Sequence, residues 1–117
     1  MEQTTPKQLN ILLLLYRFRF LNRIQIQKLL NHKDPRRINT WLKDLTDRNI
    51  IGRKYSTKLL DNTKPAIYHL ATKSRSILLT QPNISEKLLK RVYREKVRSE
   101  KLINHCLLVA DIYFLLN

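Results

Sequence analysis

Two short helix-like segments joined by a four-residue turn constrain the fold of this chain more than any other feature. The first segment starts at Asn22, a residue that caps helices, and Gln25 follows at the position that completes a capping box. The turn reads "NHKD", in which Asn31 can end the first helix. Asp34 and Pro35 then suit the cap and the first turn of a second helix. The pattern predicts helices over about residues 23–30 and 35–48, arranged as a helix-turn-helix.

The second helix of this pair has two chemically different sides. Helical spacing gathers its apolar side chains on one side, which predicts a packing face that includes the only tryptophan: Ile38, Trp41, Leu42 and Leu45. Its polar side chains are candidates for contact with DNA: Arg36, Arg37, Asn39, Thr40 and Lys43. Arginine can donate two parallel hydrogen bonds to guanine, asparagine can pair with adenine, and threonine can contact the thymine methyl group. A solvated surface face is the alternative interpretation, and Asp44 and Asp47 argue against phosphate contacts along the whole helix.

The segments on either side complete a winged helix. Thr5, Pro6 and Gln8 predict the start of a buried first helix over about residues 6–18. After the second helix of the pair, Asn49 and Gly52 are expected to mark a break. The runs "IIGRKYSTK" and "AIYHL", separated by "LLDNTKP", then predict a two-stranded antiparallel hairpin, the wing. The basic residues of the wing are expected to contact the DNA backbone: Arg53, Lys54, Lys58 and Lys64. Arg23 and Lys28, on the helix that begins near residue 23, are expected to contact the backbone as well.

The C-terminal third is predicted to be helical. Thr72 is expected to cap a short helix, and a helical stripe of apolar residues then runs over residues 84–117. The stripe drifts near residues 98–101, so one bent helix and two separate helices both fit. An apolar face that continues to the end of the chain suggests an excised fragment or a helix that pairs with another chain. We therefore expect two domains, a DNA-binding domain over residues 1–80 and a helical arm over residues 84–117, with a homodimer through residues 85–117.

Composition narrows the partners and the chemistry. Lys and Arg total 23 against 9 Asp and Glu, and the formal charge of +14 favours a polyanion, with nucleic acid first and an anionic membrane surface second. The apolar run "ILLLL" is too short to span a membrane. Cys106 is interpreted as a small buried hydrophobe, and the histidines lack metal-site spacing. We expect no metal, no cofactor, no catalysis and a cytoplasmic location.

Four stretches carry a family resemblance: "LLLLYRFRFLNRIQIQKLL", "RRINTWLKDLTDRNIIGRKY", "AIYHLATKSRSIL" and "HCLLVADIYFLL". Their order and apolar pattern resemble the replication-relaxation family of bacterial plasmids and mobile elements. In that family an N-terminal winged helix precedes a segment resembling a nuclease-like fold, which would lie beyond Asn117. The resemblance implies DNA binding in plasmid replication or its control.

The expected fold is mostly α with a small β-hairpin, a winged helix-turn-helix with a long C-terminal helical arm. The expected function is sequence-specific binding of double-stranded DNA, with the helix over about 35–48 in the major groove and the wing over about 50–71 on the backbone. Three alternatives remain open: a protein-interaction module of a replication complex, the DNA-targeting fragment of a larger nuclease-like protein, and a dimeric winged-helix transcription repressor.

Overall fold

The computed structural model describes residues 4–54, 66–95 and 100–116. Within those residues it contains six α-helices and three short strands, with a 3-10 turn at Thr72–Ser74 before the fourth helix. In chain order the elements are α1 (Pro6–Phe18), β1 (Leu21–Asn22), α2 (Arg23–Leu30), α3 (Pro35–Asp47), β2 (Ile51–Lys54), β3 (Ile67–Leu70), α4 (Arg75–Leu78), α5 (Glu86–Glu95) and α6 (Glu100–Leu116). The helix-turn-helix is α2 and α3, and the wing strands are β2 and β3.

Both predicted capping boxes are present at the starts of α1 and α2. Thr5 Oγ1 accepts a hydrogen bond from the backbone N–H of Gln8 at 3.2 Å, and Gln8 Oε1 accepts one from the Thr5 N–H at 3.1 Å. Asn22 and Gln25 repeat the arrangement at 2.8 and 3.1 Å. Asn31 ends α2 in the left-handed conformation at φ 54°, a region that asparagine tolerates better than most residues. These local signals therefore set the predicted bounds of the first two helices.

The core is built around α1 and the inner side of α3. The fully buried side chains of these two helices are Ile11, Leu12, Leu15, Ile38 and Leu45, with Leu42 at 1% exposure. Trp41 is half-buried and packs against this cluster. The interpretation of Trp41 as a packing residue is confirmed, because the apolar stripe of α3 meets the buried side of α1.

The sheet has one more strand than the predicted hairpin. β3 lies between β2 and β1, and both neighbours pair with it in antiparallel fashion. Tyr68 of β3 is opposite Arg53 of β2 on one side and Leu21 of β1 on the other. The two-stranded expectation was therefore incomplete. A strand of two residues is too short to show a period-two pattern, and its Asn22 also serves as the cap of α2.

Two further local expectations were wrong. Gly52 does not mark the break after α3; it lies inside β2, where an added Cβ would fall 2.3 Å from Cε1 of His69 on β3. The break is made by Asn49, whose φ is 60°. Thr72 does not cap α4 either, because it starts a 3-10 turn whose Ser74 hydroxyl donates to the carbonyl of Ala71 at 2.7 Å.

The two C-terminal helices share the core of the winged helix. Leu89 and Val92 of α5 are buried in the main cluster. Cys106 of α6 is buried beside Phe20, which connects α1 to β1, so its interpretation as a small buried hydrophobe is confirmed. α5 and α6 are described as separate helices, and residues 96–99 between them lie outside the described residues.

Two buried glutamines, one on α1 and one on α2, each connect their own helix to a second helix. Gln8 Nε2 of α1 donates to Asp44 Oδ2 of α3 at 2.7 Å. Gln25 Nε2 of α2 donates to the carbonyl of Leu107 and to Asp111 Oδ1 of α6, both at 2.8 Å. Each glutamine therefore caps its own helix with its oxygen and holds a second helix with its nitrogen. We call the two side chains the glutamine latches.

Candidate nucleic-acid interface

The outer side of α3 carries all five polar residues that the sequence singled out on it. Asp34 Oδ1 accepts a hydrogen bond from the Arg36 backbone N–H at 2.9 Å, which starts the helix with Pro35 in its first turn. The five side chains on this exposed surface are Arg36, Arg37, Asn39, Thr40 and Lys43. Because the inner side of α3 is anchored by buried residues, the first turns of the helix present an accessible, positively charged surface.

Thr40 and Lys43 each make a contact within α3. The Thr40 hydroxyl donates to the carbonyl of Arg36 at 3.0 Å, which leaves its methyl group as the part suited to a thymine. Lys43 Nζ lies 2.8 Å from Asp47 Oδ2, and both side chains are well exposed, at 76% and 61%. The hydrogen bond and charge of Asp47 raise the pKa of Lys43, whereas the nearby positive charge of Arg53 lowers it. Lys43 therefore offers DNA a charge that Asp47 already compensates.

The carboxylate of Asp47 contacts Lys43 on the outer surface of α3, whereas the carboxylate of Asp44 contacts α1. Its Oδ2 accepts from Gln8 Nε2 at 2.7 Å and from Arg48 Nη2 at 2.8 Å. The hydrogen bond from Gln8, followed by the charge and hydrogen bond of Arg48, lowers the pKa of Asp44 despite some burial. This network fixes the C-terminal half of α3 against α1, so Gln8 and Arg48 position the helix.

Sequence reasoning did not find this positioning role. The sequence predicts a capping role for Gln8 and no contact between Gln8 and the second helix of the pair. The available signal is that Arg48, the residue that follows α3, comes four positions after Asp44, a spacing that allows an ion pair. Nothing local in the sequence connects them to Gln8, which lies 36 residues before Asp44.

The wing contributes two described basic residues with different surroundings. Arg53 of β2 is exposed, and its charge is felt at Lys43 of α3, so the wing strand and α3 present neighbouring positive charge. Lys54 is half-buried, with its Nζ 5.9 Å from the ring centroid of Phe20. Lys58 and Lys64 lie outside the described residues. Arg53 is therefore the described wing residue best placed for a contact beside α3.

The two candidates on α2 also differ. Arg23 is half-buried at the start of the helix, whereas Lys28 is exposed. Arg17, which precedes α2, is engaged elsewhere: its Nη1 donates to Tyr113 Oη at 3.2 Å and its guanidinium lies 4.4 Å from the centroid of that ring. Arg17 thus helps to hold α6 against α1.

In residues 4–54, 66–95 and 100–116, no group of three or more His, Cys, Asp or Glu side chains is arranged to hold a metal ion. Within the same ranges, none of the helices combines the length and the apolar character needed to cross a bilayer.

Comparisons with known proteins agree with this architecture. One solved structure with the same fold is described as a MepR-like protein complexed with pseudoligands; it is 15% identical, with a TM-score of 0.58 over 96% of this chain and 72% of that chain. A mutant of ZitR from Lactococcus lactis is 18% identical, with a TM-score of 0.58 over 97% of this chain and 73% of that one. No curated protein sequence matches the chain significantly. The model of the replication-relaxation family matches residues 12–117. The chain therefore belongs to the replication-relaxation family, and its fold is a winged helix-turn-helix.

Proposed function

We propose that the chain binds double-stranded DNA with sequence preference, in the cytoplasm, in plasmid replication or its control. The observation that carries this proposal is the outer surface of α3, where Arg36, Arg37 and Asn39 are exposed on a helix anchored by its other side. The family, the fold and the +14 charge support the same function. The role is one of binding, and we assign no catalytic step to it.

α3 and the wing have different tasks in this proposal. The first turns of α3 enter the major groove, where arginine and asparagine side chains can read base edges. The basic residues of the wing lie along the sugar-phosphate backbone in this proposal and set the register without reading sequence: Arg53, Lys54, Lys58 and Lys64. Arg23 and Lys28 add backbone contacts from α2.

The proposal is tested by duplex binding as a function of salt. Log affinity should fall linearly with log salt at about −0.9 for each phosphate contact. Replacing Arg36 with alanine should cost about 1–3 kcal/mol and relax the preference at one base pair of the selected site. Lys73→Ala on the 3-10 turn removes one positive charge from an exposed position outside residues 85–117, and it should leave base preference unchanged. Absence of duplex binding at low salt contradicts the proposal.

We also propose that the DNA-binding form is a homodimer through residues 85–117. The support is an exposed apolar row on α6, with Leu108 at 56%, Ile112 at 46% and Leu115 at 81% exposure. Residues spaced in this way share one side of a helix, which is the pattern that a second helix can cover.

Sedimentation should show a dimer at tens of micromolar. Leu108→Ser/Ile112→Ser should give a folded monomer with the helical content of the wild type by circular dichroism and a melting temperature that no longer depends on protein concentration. A wild-type monomer at that concentration contradicts the dimer. If the same apolar row instead retains a replication protein after nuclease treatment, and neutralising Arg36, Arg37 and Lys43 leaves that retention intact, the chain is a protein-interaction module.

A further inference from the structure

A basic depression of about 330 Å³ lies on the surface of the helix-turn-helix, between the exposed side of α2 and the turn that leads to α3. Two lysines and a histidine line it together with one apolar and two amide side chains: Ile24, Gln27, Lys28, Asn31, His32 and Lys33. None of these six described residues is acidic. The lining therefore combines positive charge with an apolar contact, since Ile24 is 44% exposed.

The turn holds the imidazole of His32 in a defined position. His32 Nδ1 accepts a hydrogen bond from the backbone N–H of Asp34 at 3.1 Å. Its ring also packs edge-on against Trp41, with the centroids 5.2 Å apart and an interplanar angle of 77°. A nitrogen that accepts a hydrogen bond carries no hydrogen, so the neutral ring has its N–H at Nε2. His32 is thus a fixed ring that offers a hydrogen-bond donor beside two lysines.

The position of the depression relates it to α3. Asn31, His32 and Lys33 immediately precede Asp34, which caps α3, so the depression adjoins the positive N-terminal end of that helix. Arg36 and Arg37 begin the exposed surface assigned to the major groove only a few residues later. A helix that enters the groove by its first turns brings the preceding turn up to the phosphates at the edge of the groove.

We propose that this depression binds the DNA backbone next to the groove that α3 enters, with Lys28, Lys33 and His32 Nε2 on a phosphate and Ile24 against the adjoining deoxyribose. The proposal rests on the DNA-binding function above and extends the backbone contact already assigned to Lys28 into a site that also includes the turn between α2 and α3. Charge complementarity selects the phosphodiester, because the site combines two lysine side chains and an imidazole N–H with an apolar surface. His32, Lys33 and Ile24 thereby become DNA-contacting residues that no base-reading argument identifies.

The first experiment compares salt dependence in matched charge variants. Lys28→Gln/Lys33→Gln should reduce the slope of log affinity against log salt by about 1–2, as expected for one or two lost contacts. The control Lys7→Gln/Lys73→Gln removes the same charge from exposed positions on α1 and the 3-10 turn. It should change the slope much less. Base preference should stay the same in both variants, since neither removes a residue assigned to base edges.

The second experiment isolates the imidazole. His32→Asn keeps an oxygen that can accept from the Asp34 N–H, as in an Asx turn, but removes the Nε2 donor. We expect a several-fold loss of affinity with unchanged base preference. His32→Gln, whose amide nitrogen can take the place of Nε2, should restore part of that loss.

A third experiment identifies the phosphate on the DNA. Ethylation of one phosphate of the selected duplex should weaken binding of the wild type but not binding of Lys28→Gln/Lys33→Gln.

Each outcome separates this site from the general function. If the wild type fails to bind duplex DNA, the proposed function itself is wrong. If it binds with a steep salt slope but the lysine pair and its control change the slope equally, the depression is not a backbone site. Protection of Lys28 and Lys33 from acetylation by an acidic peptide, with none by duplex DNA, would overturn it in favour of a protein partner.

Discussion

Replacing Gly52 with alanine should destabilise the wing through a single contact across the sheet. Gly52 of β2 is opposite His69 of β3. An ideal Cβ at residue 52 would lie 2.3 Å from Cε1 and 2.5 Å from Nε2 of that ring. The shorter distance is about 1 Å inside ordinary van der Waals contact. The imidazole must therefore move, although it is half-buried, lies 6.1 Å from the Phe20 ring centroid and has Nδ1 3.2 Å from the Leu70 carbonyl.

The magnitude follows from two opposing effects. Inserting a methyl group into an occupied space costs about 1–3 kcal/mol. Removing the backbone freedom of a strand glycine returns roughly 0.5–1 kcal/mol. The net expectation is a loss of about 1–2 kcal/mol in the free energy of unfolding, or roughly 4–8 °C in the melting temperature of a domain of this size.

The assay is a double-mutant cycle measured by urea unfolding. His69→Ala removes the ring, so Gly52→Ala in that background should cost nothing or even stabilise slightly. The coupling between the two positions should reach about 1 kcal/mol or more, whereas independent sites add within about 0.5 kcal/mol. If Gly52→Ala costs the same with and without the His69 ring, the close approach is not the reason for glycine here.

Three further predictions follow from polar contacts of the helices. Because the pKa of Asp44 is lowered in the folded protein, its carboxylate contributes stability above the unfolded pKa of about 3.9, and this contribution is lost as the pH falls through the folded pKa. The difference in the free energy of unfolding between wild type and Asp44→Asn should therefore shrink on acidification below about pH 4. Gln25→Glu keeps the capping oxygen of α2 but sets a carboxylate against Asp111; we expect about 1–3 kcal/mol lower stability and faster hydrogen exchange in α6, and unchanged exchange there would contradict the latch. Asp47→Asn should release Lys43 and leave the free energy of unfolding nearly unchanged, because the pair is exposed to solvent. It should steepen the salt slope of duplex binding, and an unchanged slope in a salt titration contradicts this.

The helix-turn-helix was predictable because its signals are local. Asn22 with Gln25, and Asp34 with Pro35, act on backbone groups within one turn of themselves, so their effect can be read from neighbouring letters. The two sides of α3 were predictable for a related reason, since helical periodicity alone separates Ile38 from its exposed neighbours.

The remaining features depend on residues far apart in the chain. β1 exists because Leu21 and Asn22 meet β3, not because of any strand pattern of their own. The inward role of Asp44 depends on Gln8, and the need for glycine at residue 52 depends on His69. These pairings are products of the tertiary fold, so spacing in the sequence does not reveal them.

The glutamine latches have a consequence for the local unfolding of this protein. In each, one amide group closes the first turn of a helix with its oxygen and holds another helix with its nitrogen. Fraying at the start of α1 therefore loosens the side chain that holds α3, and fraying at the start of α2 loosens the side chain that holds α6. In the other direction, detachment of α3 or α6 removes a restraint on the start of its partner helix. Local fluctuations that open helix ends independently in other proteins should here be linked. Native-state hydrogen exchange should find the amides at the start of α1 opening with α3, and those at the start of α2 opening with α6, as two cooperative units.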